Sequence, residues 1–150
     1  MSVCLRITDL AVAYGHIEAV KGISLELQAG EITALVGANG AGKSTTLLAL
    51  SGLLKPKRGT VEFEGEDISR LAPNQIVQRG VVQVPEGRAI LTTLTVAENL
   101  QLGAYTRKDK SGSAQSLDEV YHLLPRLQDR APQLAGNLSG GERPILALGR

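Results

Sequence analysis

The sequence is short of the residues on which several kinds of protein are built. One cysteine, Cys4, stands among 150 residues, so neither an intrachain disulfide nor a cysteine zinc site is available, and a reducing compartment suits the chain. Aromatic residues make up 3%, namely Tyr14, Phe63, Tyr105 and Tyr121, with no tryptophan, too few for a platform that stacks single-stranded bases. Charge of neither sign dominates: 16 Lys and Arg against 15 Asp and Glu leave +1. Without a basic field, nucleic acid is not an expected partner. No apolar run approaches the ~18–20 residues that cross a bilayer. The start, Met1-Ser2-Val3-Cys4-Leu5-Arg6, lacks the charged lead and apolar core of a secretory signal. What remains is ordinary globular composition, 43% hydrophobic and 21% charged, on a length that suits one intracellular domain over residues 1–150.

Periodicity divides the chain. Val3, Leu5 and Ile7 alternate with more polar neighbours, as do Ile23, Leu25 and Leu27 ahead of the turn at Gln28-Ala29-Gly30, which predicts two strands. Glu31–Val36 is more continuously apolar and predicts a central strand buried on both faces. A helix-like stretch follows over Thr45–Leu50. Lys55-Pro56-Lys57-Arg58-Gly59 reads as a breaker, Thr60–Phe63 as a short strand, and the surroundings of Gly65 as a turn. Pro73–Arg79 predicts a short helix and Gly80–Val84 another strand. Thr95–Tyr105 has helical spacing with Thr95 as N-cap. The polar stretch Arg107–Ser116 predicts a mobile surface loop, and Leu117–Leu124 a helix, punctuated afterwards by Pro125 and Pro132. Strands alternating with helices around a buried apolar strand predict an α/β fold with an antiparallel opening subdomain.

Between the apolar strand and the first helix lies Gly37-Ala38-Asn39-Gly40-Ala41-Gly42-Lys43-Ser44, which fits G-x-x-x-x-G-K-[S/T] in the strand-to-helix context that gives the pattern meaning. Glycines let the backbone turn its N–H groups onto phosphate oxygens. The helix that follows, from Thr45 on, aims free N–H groups and the positive end of its dipole at the same place. Lys43 is then the expected contact to the outer phosphates, and the Ser44 hydroxyl the expected ligand of Mg²⁺. A second glycine-rich helix start, Leu138-Ser139-Gly140-Gly141-Glu142, lies about a hundred residues on, with Ser139 as candidate N-cap. Alone it reads as a loop, but two helix starts suited to anions in one chain say more than either.

Together these motifs resemble the ATP-binding subunits of ABC transporters, whose signature is L-S-G-G-[Q/E], and the resemblance runs along nearly all of the chain. It implies a P-loop NTPase core with an antiparallel β subdomain and a helical subdomain, the latter with its flanking loop and signature over about 84–141. It implies ATP and Mg²⁺ as cofactors, with Tyr14 stacking on adenine; standing alone, Tyr14 would read as a half-buried tyrosine at a strand end. It implies a head-to-tail dimer, with itself or with a sister ATPase, in which Leu138–Glu142 meets the γ-phosphate held by the opposite subunit. Transmembrane permease subunits would hold the chain at the inner face of the cell membrane. Val84-Pro85-Glu86-Gly87-Arg88, Leu94-Thr95-Val96-Ala97-Glu98-Asn99-Leu100 and Leu123-Leu124-Pro125-Arg126-Leu127 look like the branched-chain amino-acid importers. In them Glu86 stands where the wider family has the glutamine of the loop that senses γ-phosphate.

The chain also departs from the family pattern. Past the signature helix the family continues with an apolar strand ending in Asp, a catalytic Glu and a switch His, and none is found among these 150 residues; His16 and His122 read as surface residues. ATP binding without useful hydrolysis is therefore expected, and a fragment that binds nucleotide or a partner without a transport role is the alternative. The family also places sheet strands after the signature, so the 32–36 segment is expected to leave an apolar edge uncovered. Pro144 stands where relatives usually carry Gln. If the helix starts at Ser139, this proline costs about 3 kcal/mol; a start near Glu142 avoids the cost.

Overall fold

Residues Val3–Tyr14 (β1) and Ile17–Gln28 (β2) form a long antiparallel hairpin in the computed structural model, which describes residues 2–85, 90–107 and 109–150. Arg58–Phe63 (β3) pairs with the other edge of β1, and Glu66–Asp67 (β4) with β3, giving the order β2-β1-β3-β4 with every pairing antiparallel. The alternation in β1 changes phase part-way. Leu5 and Ile7 are buried, and then Leu10 and Val12, so inward positions pass from odd to even numbers. The slip lies at Asp9, whose φ is +46°, where the β1–β2 register shifts between Ile7 and Leu10. A one-residue bulge of this kind keeps apolar side chains on one face while the strand bends.

That face carries the first core. Ile7, Leu10, Val12 and Val61 pack with Ala49 of helix α1 (Lys43–Leu50) and Ile76 of helix α2 (Pro73–Gln78). The chain divides into two compact units, Met1–Gln83 and Val84–Arg150, and this core belongs to the first. The second unit is helical: α3 (Val96–Gly103), α4 (Lys110–Leu123), α5 (Pro125–Asp129), a 3₁₀ turn (Ala135–Asn137) and α6 (Glu142–Gly149). Val96, Leu100, Leu127, Ala135, Leu138 and Leu146 make its core. Thr95 caps α3 as expected: its hydroxyl accepts from the Glu98 N–H at 3.1 Å, and the Glu98 carboxylate accepts from the Thr95 N–H at 2.7 Å, a reciprocal box.

Three expectations are corrected. Glu31–Val36 is not a buried strand: it pairs with no strand among the described residues, and Ile32 and Val36 are 103% and 84% exposed. A parallel strand buried on both faces needs neighbours on both edges, so the apolar pattern marks a burial that the described residues do not supply. Gly80–Val84 is not a strand either: Gly80 closes the turn after α2, and residues 81–84 pair with no strand among the described residues, with Val82 exposed. The stretch Arg107–Ser116 is not a loop: α4 begins at Lys110, because Asp109 accepts from the N–H and hydroxyl of Ser111 at 3.1 and 2.7 Å. Its polarity is that of an exposed helix start capped by an Asp. Among the described residues no helix is long and apolar enough to cross a membrane.

One buried polar residue organises the second unit. The Asn99 side chain is wholly buried; its Oδ1 accepts from the Leu91 N–H at 2.8 Å, and its Nδ2 donates to the Leu91 and Thr95 carbonyls at 2.9 Å each. It pins the 91–95 turn to α3. Asn99→Ala strands those backbone groups, so we expect a loss of about 2–3 kcal/mol. In urea the unfolding midpoint of this unit falls with its slope unchanged.

Candidate phosphate-binding site

The segment Gly37–Gly42 leads into α1 as a tight loop. Gly42 caps the helix with φ +91°, and no side chain caps the first turn. Residue 42 has to be glycine for two reasons: its backbone is left-handed, and a Cβ would lie 2.7 Å from the Ala19 carbonyl oxygen of β2. That close approach sets the loop against the hairpin. The Lys43 ammonium folds back over the loop and donates to the Gly37 and Ala38 carbonyls at 2.7 and 2.8 Å. A fixed cation therefore stands beside a helix N-terminus whose N–H groups lack side-chain partners, an arrangement that favours a phosphate.

Around it the same unit supplies the rest. The Ser44 side chain is exposed, while Thr45 and Thr46 are buried, with the Thr46 hydroxyl donating to the Gly42 carbonyl at 2.9 Å. Tyr14, at the end of β1, is 49% exposed, and its hydroxyl lies 3.4 Å from the Thr45 hydroxyl oxygen. An open cleft of about 480 Å³ runs along the loop, lined by Lys21, Val36, Gly40, Ala41, Lys43 and Thr46, a size that suits a small ligand. The second unit has a larger cleft of about 880 Å³, whose Arg107 is already bonded to Ser116 at 2.7 Å.

The second glycine-rich turn sits in the other unit. Leu138 is buried in its core. The Ser139 N–H donates to the Glu142 carboxylate at 2.9 Å, and the Glu142 N–H donates back to the Ser139 hydroxyl at 3.3 Å. Accepting the Ser139 N–H, and then its hydroxyl, holds the Glu142 carboxyl below the usual carboxylate range; Arg130 and Arg126 act in the same direction. Gly140 and Gly141 are exposed, with open space where a Cβ would be.

The family model described as ABC transporter matches residues 20–150. The chain belongs to the ABC transporter family. It is 42% identical over 146 residues, 97% of its length, to the high-affinity branched-chain amino acid transport ATP-binding protein BraG of Pseudomonas aeruginosa, of which it covers 62%. It is 36% identical to the xylose/arabinose import ATP-binding protein XylG of Sulfolobus acidocaldarius, over 100% of this chain and 61% of that one. A solved ATP-binding cassette of an ABC transporter, in its ADP conformation, superposes with a TM-score of 0.86 at 27% identity, covering 100% of this chain and 64% of the other. The chain thus spans a little over three fifths of these ABC proteins, and its fold is that of the N-terminal part of an α/β ABC cassette.

The structure brings Tyr14 and the loop residues Gly37–Thr45 together in one unit and holds Leu138–Glu142 in the other. Glu86 lies outside the described residues. Helix α6 begins at Glu142, with Gly141 at its cap; ahead of it Ser139 closes the reciprocal box, and its carbonyl accepts from the Glu142 and Arg143 N–H groups at 3.1 and 3.2 Å. Pro144 is then the third helical residue, and its missing N–H leaves the Gly140 carbonyl without the bond that would carry the regular helix back over that turn, which is why it starts at the later position. Sequence reasoning missed Lys21 and Thr46. The four-residue spacing of Thr46 from Gly42 was a readable sign, but Lys21 reaches the cleft across the hairpin and leaves no local signal. His16 and His122 are exposed.

Proposed function

We propose that these residues are the nucleotide-binding part of an ATP-binding subunit of an ABC importer, forming one nucleotide-binding domain over 1–150 that continues in longer relatives. The fold of Lys43 onto the loop carbonyls beside the uncapped start of α1 carries this reading. The residues present fit ATP: the N–H groups at the start of α1 and the Lys43 ammonium would meet the phosphates, the Ala41 N–H being held by the Ala38 carbonyl at 3.1 Å, and Tyr14 offers an aromatic surface to adenine. Ser44 offers one hydroxyl to Mg²⁺; among the described residues no cluster of three His, Cys, Asp or Glu forms a metal site. A metal held largely by the nucleotide and water is the form that suits such a loop.

Mg·ATP, when bound, would supply negative charge at the loop, and Ser139–Gly141 would meet the nucleotide held by a second copy or by a sister ATPase. Permease subunits then hold the protein at the inner face of the membrane. The likeness to BraG supports branched-chain amino acids as the transported class.

Titration of the chain with a fluorescent ATP analogue tests the reading. Saturable binding that tightens with Mg²⁺ is expected, and Tyr14→Ala should weaken it about fivefold, the worth of one aromatic contact. No saturation up to millimolar nucleotide overturns the proposal.

A further inference from the structure

The turn from Leu138 to Gly141 is held by two backbone bonds, from the Glu142 and Arg143 N–H groups to the Ser139 carbonyl at 3.1 and 3.2 Å, and otherwise by side chains. Pro144 has no N–H, so the bond that the Gly140 carbonyl would accept from residue 144 in an uninterrupted helix cannot form. Gly140 and Gly141 have no side chains to pack, and nothing lies within 4 Å of where their Cβ atoms would be. Arg143 adds a tie on the N-terminal side of that missing bond. Its Nε donates to the Leu138 carbonyl at 3.2 Å, and its Nη2 to the Gly136 carbonyl at 2.9 Å. One planar guanidinium thus ties the 3₁₀ turn to the residue before Ser139, a fork that the single ammonium of a lysine does not reproduce. On the other flank the Glu142 carboxylate takes the Ser139 N–H and lies 3.7 Å from Arg130.

We infer that Arg143 is a positioning residue for the signature turn, fixing Ser139 and the exposed Gly140–Gly141 amides in place of the helix bond that Pro144 removes. The inference rests on the proposed reading that this turn meets a nucleotide held by a second subunit. Position 144 makes it specific: Arg143 matters most while 144 is proline, and restoring an N–H there relieves the dependence.

The full chain tests this with Arg143→Met, which keeps the apolar stem without donors, with Arg143→Lys, with Pro144→Gln, and with Arg143→Met combined with Pro144→Gln. Hydrogen exchange at the Leu138, Ser139 and Glu142 amides is measured without nucleotide, and self-association with and without Mg·ATP. Arg143→Met should speed exchange about tenfold and weaken ATP-driven association by a similar factor, with nucleotide affinity unchanged. Arg143→Lys should recover part of both, and Pro144→Gln should remove most of the effect of Arg143→Met, a coupling read as a double-mutant cycle. Exchange that changes less than twofold in Arg143→Met, or an effect that Pro144→Gln leaves intact, overturns the inference. So does faster exchange with undiminished association. If the parent chain shows no ATP-driven association, the two-subunit reading falls, and the exchange cycle alone decides for or against Arg143.

Discussion

Lys43→Met should weaken Mg·ATP binding about 100-fold while leaving the thermal midpoint of the chain nearly unchanged, because a hydrogen bond to a charged group is worth about 1.5–3 kcal/mol and each 1.4 kcal/mol is tenfold in affinity. Two losses combine. The cation aimed at the outer phosphates disappears, and so do the bonds that fasten the Gly37 and Ala38 carbonyls. The methionine keeps the length of the stem, so packing beside α1 is retained. Stability changes little, because both bonds are solvent-exposed and water replaces them in the variant. Titration with a fluorescent nucleotide gives the affinity, and a melting curve on the same sample shows whether the fold is kept. Affinity within threefold of the parent would mean that Lys43 only braces the loop and that the N–H groups of α1 carry the anion by themselves.

How far the site could be read before the structure depended on whether its signal was local. The phosphate loop, the Thr95 cap and the Pro73 helix start each need only a few consecutive residues, and each stands where the spacing puts it. The capping role of Asp109 was equally local but was hidden by the polar composition of Arg107–Ser116, a case where cap chemistry should outrank hydropathy. The 31–36 segment failed for the opposite reason. Its apolar run records what a central strand needs, but pairing is a property of neighbours, and no periodicity reveals whether they are present. The clamp of Arg143 and the reach of Lys21 into the cleft are likewise non-local. Asn99 lies between. It is a polar residue on the apolar face of a legible helix, and its burial follows from the turn at 91–95 that it satisfies.

The sheet holds the clearest instance of a residue whose importance only the structure shows. In the sequence Gly59 closes a breaker, Lys55-Pro56-Lys57-Arg58-Gly59, yet it is the second residue of β3. Its φ is +86°, and a Cβ there would collide with the Asp9 carbonyl oxygen and lie 2.5 Å from that of Thr8. Both contacts are to backbone, so no side-chain rotation relieves them. They arise where β1 bulges: Asp9 has φ +46°, its N–H donates to the Ser24 hydroxyl at 2.9 Å, and its carboxylate accepts from the Arg58 Nε at 3.0 Å. The bulge that turns Leu10 and Val12 into the core thus brings its backbone against residue 59, and only glycine leaves room. Gly59→Ala combines a left-handed backbone with an overpacked contact, so we expect a loss of about 3–5 kcal/mol. Gly65→Ala is the control. Its φ is +82° but nothing lies within 4 Å of its Cβ, so the backbone term alone should cost about 1 kcal/mol. Denaturant unfolding of the two variants separates the terms. If they lose the same stability, the close approach of β3 to the bulge contributes nothing, and the register shift in β1 is set by side-chain burial alone.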